Sequence, residues 1–132
     1  MSWSKCGITY EPVTGDPLTV GEQHELNPRE AYEISIATDY PDALVQIAHL
    51  VGAPRSGEII LSASRDWDYR ARFEPIPHVS SHGALHREHM LVPLLVNRPL
   101  AGLPRRTVDV MPSALKALDV PIPSGLDGVA FV

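Results

Sequence analysis

Four of the six histidines in this chain fall within twelve residues, in the run His78-Val-Ser-Ser-His82-Gly-Ala-Leu-His86-Arg-Glu-His89. Imidazole is the usual nitrogen ligand for zinc and related ions, so such a run raises metal chemistry first. A helix over 81–89 would put His82, His86 and His89 on one face at i, i+4 and i+7, able to take a transition metal. Gly83 works against that helix. Without it, His82 is a loop histidine bonded to a backbone carbonyl, and His78, His86 and His89 are surface residues. Asp66 and Asp68 are the nearest carboxylates upstream, read as solvated loop residues. Trp67 and Trp3 read as packing residues, Asp109 as a helix cap, and Asp127 as a turn residue.

The elements around the run set what it can do. Residues 7–20 read as a short extended segment followed by a turn at Thr14-Gly15-Asp16-Pro17. Asn27-Pro28-Arg29-Glu30 predicts a helix start, with Asn27 capping, Pro28 in the first turn and Glu30 reaching back. Ala31 and Ile34, with Ala37 or Thr38, would face inward. Asp39-Tyr40-Pro41-Asp42 breaks this helix and begins another, in which Leu44, Ile47, Ala48 and Val51 share a face and Gly52 stops the chain. Gly57–Ser64 and Met90–Val96 read as buried strands, with a further strand ending near Phe73. Thr107–Leu118 reads as a helix with Val108, Met111, Leu115 and Leu118 on one side. That order predicts an α/β layer with some parallel pairing. Ligands would then gather in the loops after Ser64 and Val96 and before Met90.

At 132 residues the chain is expected to form a single domain over 1–132. The thirteen prolines argue for short elements and many connections. A net charge of −5 with no basic stripe excludes a nucleic-acid footprint, although a metal could still draw a phosphate-bearing small molecule. Cys6 is the only cysteine, which rules out an internal disulfide and a cysteine zinc site. No stretch approaches eighteen apolar residues and no apolar leader opens the chain, so a cytoplasmic protein with no membrane partner is expected.

Three segments between 57 and 128 together resemble the C-terminal part of an alkaline phosphatase-superfamily hydrolase of the type I phosphodiesterase/nucleotide pyrophosphatase-like group. Ser80-Ser81-His82-Gly83 followed by Met90-Leu-Val-Pro-Leu-Leu-Val96 is similar to the family's late metal-ligating segment. Arg106-Thr-Val-Asp109-Val-Met-Pro112-Ser-Ala-Leu115-Lys-Ala-Leu118 is similar to its closing helix. Val120-Pro-Ile-Pro123 with Leu126-Asp127-Gly128 is similar to its ending. The resemblance implies a partial alkaline phosphatase-like sheet with flanking helices. It implies His82 as the metal ligand, preferred because glycine follows it, with His86 in His86-Arg87-Glu88 as the competing register. Zinc or manganese is the implied cofactor.

The chain departs from the family where the chemistry is done. There is no Asp-His-Gly triplet: after Ile59–Ser64 comes Arg65-Asp66-Trp67, with tryptophan in the histidine's place. No early aspartate with a serine or threonine nucleophile is present. Two-metal hydrolysis needs both ions and a nucleophile, and one imidazole cannot hold either ion tightly. The first expectation is therefore the C-terminal portion of a metal-dependent phosphodiesterase or phosphatase, inactive alone. A second is a non-catalytic interaction module that docks on an upstream polypeptide or self-associates through exposed sheet edges. A third is a small metal-binding protein built on the histidine loop.

Overall fold

A computed structural model describes residues 2–4, 7–69 and 83–132, with the backbone alone for residues 2–4. The chain is a small mixed α/β protein with two compact units, Met1–Val92 and Pro93–Val132.

The first unit is built on an antiparallel sheet of β1 (Ser2–Ser4), β2 (Gly7–Tyr10) and β3 (Gln23–Leu26), in that order. The β2–β3 register runs Ile8↔Leu26 and Tyr10↔Gln23, with an irregularity between. Glu25 takes a left-handed φ of 54° there. Gly7 lies so close to it that an added Cβ would meet the Glu25 carbonyl carbon at 2.5 Å, so only glycine fits. The turn between the strands is organised by Asp16, which accepts from the Tyr10 hydroxyl at 2.8 Å, Gly21 N–H at 2.6 Å and Thr19 N–H at 3.0 Å.

Helices α1 (Pro28–Ser35) and α2 (Ala43–Val51) pack on this sheet. The Asn27 capping box forms as its sequence predicts: Asn27 Oδ1 accepts from Arg29 and Glu30 N–H at 3.0 Å, and Glu30 accepts from Asn27 N–H at 2.9 Å. Ala31, Leu44 and Ala48 are buried as expected, joined by Ile8, Tyr10, Leu18, Ala43 and Val45 in one core. Ile34 and Val51 instead face outward. Ser35 takes the inward place on α1; its hydroxyl donates to Ala31 O at 2.8 Å and accepts from Asp42 N–H at 3.1 Å. This stitches the end of α1 to the start of α2.

Two expectations are corrected. Gly57–Ser64 and the residues after Met90 form no strand, and most of their apolar side chains are exposed: Ile59 is 79% accessible, Leu61 69% and Leu95 96%. A run of apolar residues has the composition of a strand, but a strand exists only where a neighbour supplies the hydrogen bonds. The described sheet is antiparallel, because it forms from the N-terminal segments rather than from these runs, and no parallel pair occurs among the described residues. The strand expected near Phe73 lies outside the described residues.

In the second unit a 3-10 turn (Thr107–Asp109) leads into α4 (Val110–Ala117), where a helix was predicted, but Met111 and Leu118 of its expected inner side are exposed and Pro112 and Ser113 are buried instead. Short α3 (Arg87–Met90), in the first unit, is the described helical part of the histidine region. Asp109 is buried and structural, accepting from Val129 N–H at 2.9 Å, Arg106 N–H at 3.0 Å and Arg105 N–H at 3.1 Å. The Ser113 hydroxyl accepts from Phe131 N–H at 2.9 Å and donates to Asp109 O at 2.6 Å, tying the tail to α4. Gly128 is required here, since a Cβ would meet Val108 O at 2.0 Å.

Candidate functional site

His86 is the described member of the expected ligand pair; His82, like His78, lies outside the described residues. Two contacts fix His86 in place. Its ring lies against Tyr40, with centroids 4.8 Å apart and planes tilted by 40°. The next residue, Arg87, donates from its guanidinium to Thr38 O at 2.7 Å and also to Ile36 O. Arg87 N–H donates to Asp39 O at 2.8 Å. The Ile36 carbonyl belongs to the C-cap of α1, where a cation is favoured, and Thr38 and Asp39 lie in the linker just beyond it. The start of α3 is thereby fastened to a linker almost fifty residues earlier.

The Nε2 atom of His86 is buried and has no hydrogen-bond partner among the described residues. Burying such a nitrogen unpaired costs about 1–3 kcal/mol, so native structures keep few of them. His86 also lines a groove of about 610 Å³, whose walls include Leu50, Leu85, Trp67 and Asp66. Glu88 at its edge is ion-paired with Arg65. Trp67 is 78% accessible, a correction to its reading as a packing residue. Asp66 and Asp68 are exposed, as expected of loop carboxylates. Gly83 has φ of +91°, so it is not helical, and α3 begins only at Arg87.

The described residues around His86 do not fit a metal centre. No group of three imidazole and carboxylate donors that includes His86, His89, Asp66 or Asp68 converges among them. No mechanistic step through a metal follows from this loop alone.

One convergent donor group does occur among the described residues, and it was missed from sequence: Glu11, Glu22 and His24. The His24 Nε2 lies 2.7 Å from Glu22 Oε1, and its Nδ1 lies 3.9 Å from Glu11 Oε1. Pairing Tyr10 with Gln23, continued by one residue, sets Glu11 beside Glu22, and His24 follows two residues on, on the same side. The Glu22-x-His24 spacing was a visible signal. Glu11 could be added only by knowing the hairpin register.

No protein-family model matches the chain, and no curated protein or solved structure matches it. No helix among the described residues is long and apolar enough to cross a membrane.

Proposed function

We propose that this chain is the C-terminal portion of a metal-dependent phosphodiesterase or phosphatase of the alkaline phosphatase-like kind, inactive until another polypeptide completes it. The observation that carries this reading is the exposure of Ile59, Leu61 and Leu91–Val96 without a strand partner among the described residues. Sequence of this kind suits strands inside a larger sheet, and its exposure supports a sheet completed by something outside the described residues. The buried Nε2 of His86, without a partner among the described residues, supports the same reading, as part of a ligating loop whose counterparts lie elsewhere. The missing counterparts are a Ser/Thr nucleophile and an Asp-His-Gly segment with its carboxylates.

The reading is tested with an aryl phosphodiester and zinc or manganese ions. The purified chain should give no turnover. Mixed with a polypeptide carrying the nucleophile and the Asp-His-Gly segment, it should give turnover that is lost on His82→Ala. Metal-dependent turnover by the chain alone, abolished by chelator and by His82→Ala, would contradict the incompleteness. Failure of the assembled pair to turn over would contradict the hydrolase assignment.

A further inference from the structure

The end of the β2–β3 hairpin carries donors that the histidine loop does not use. We propose that Glu11, Glu22 and His24 form a divalent-metal site with one nitrogen and two oxygen ligands, suited to zinc.

The donor chemistry is mixed, which separates this group from an ordinary patch of surface acids. Carboxylates alone favour calcium or magnesium, whereas an imidazole added to two carboxylates favours zinc and its transition-metal neighbours. The three ligand atoms lie within 4.8 Å of one another. A tetrahedral zinc with bonds near 2.1 Å places its ligands about 3.4 Å apart. The donor atoms, one from each residue, lie up to 4.8 Å apart, a little beyond that value. All three side chains are exposed, so small rotations reach it without disturbing the core.

Placement also favours a site. His24 is within β3, and Glu11 and Glu22 directly adjoin paired residues, so the sheet holds the three backbone positions in register. The two carboxylates, of Glu11 and Glu22, bring negative charge to the group. Among the described residues, neither Glu11 nor Glu22 forms an ion pair with lysine or arginine that would offset it. A divalent cation neutralises that charge. Three protein ligands leave the fourth position open to water or a small anion, the arrangement of open rather than closed zinc sites.

Calorimetric titration of the full chain with zinc chloride tests this, together with nitrogen-detected NMR of the histidine rings. The expected result is one saturable event with affinity in the micromolar range and a zinc-dependent shift at the His24 ring. His24→Ala and the double variant Glu11→Gln/Glu22→Gln should each weaken binding by about tenfold or more, since losing even an outer partner of a metal ligand costs that much. Circular dichroism should show both variants folded, because the substituted side chains are exposed. Absence of saturable binding, or binding that survives His24→Ala and perturbs His86 or His82 instead, overturns the site. The latter result would leave the histidine-loop reading standing on its own.

Discussion

The ring of His86 rests on the ring of Tyr40, 4.8 Å between centroids, across forty-six positions of chain. Tyr40 sits in the linker between α1 and α2 and packs against the core of the first unit. The described end of the histidine run, His86 with Arg87, is therefore held against the linker between the two helices.

Replacing Tyr40 by leucine keeps an apolar side chain on the core and removes the ring contact. Aromatic pairs contribute about 0.5–1.5 kcal/mol beyond burial, so Tyr40→Leu should lower stability by about 1 kcal/mol in urea denaturation. The His86 ring resonances should also lose the shift imposed by the tyrosine ring. Unchanged His86 resonances would show that Tyr40 does not hold it.

Asp109 makes the second unit acid-sensitive. Burial pushes its carboxyl up, but the N–H groups of Val129, Arg106 and Arg105, with the charge of Arg106, outweigh this and hold it below the usual carboxylate value. Because the folded pKa is the lower one, its contribution is present above the unfolded value of about 3.9 and disappears as pH falls below it. Asp109→Asn leaves three donors facing a neutral amide and should cost about 1–3 kcal/mol near neutrality. That difference should shrink at low pH. Thermal melts of both proteins across the acid range, followed by a probe in the second unit, measure it. A pH-independent difference would contradict the account.

Much of this positioning was legible in the sequence, and the reasons differ by element. The Asn27 capping box and the spacing of Leu44 and Ala48 are local signals that need nothing beyond one helix turn, and both appear as read. Asp109 could be read as structural because it opens a helix, although its long-range bond to Val129 could not. The strands failed for the opposite reason. β3 is Gln-His-Glu-Leu, polar at three of its four residues, and is a strand because β2 pairs with it. Gly57–Ser64 and Met90–Val96 have strand-like composition but no described partner. Pairing is a property of two segments, and composition reports only one.

Tyr10 gives a signature at the alkaline end. Burial, then its hydrogen bond and charge contact with Asp16, push its pKa up to about 12. Its folded pKa is the raised one, so this contribution is full below the unfolded value of about 10 and is lost as pH climbs towards 12. Absorbance titration should show a late-ionising tyrosine component, and Tyr10→Phe should reduce it. A late component unchanged by Tyr10→Phe would contradict the effect of the Tyr10–Asp16 bond.

Sedimentation velocity of the purified chain over the micromolar range tests most directly whether this is a part that needs completing. Ile59, Leu61 and Leu91–Val96 are apolar and exposed, and surfaces of that kind associate when left uncovered. The account predicts concentration-dependent self-association that Ile59→Lys with Leu95→Lys reverses while the fold of the helical pair persists. A well-folded monomer at every concentration, unaffected by those substitutions, contradicts it.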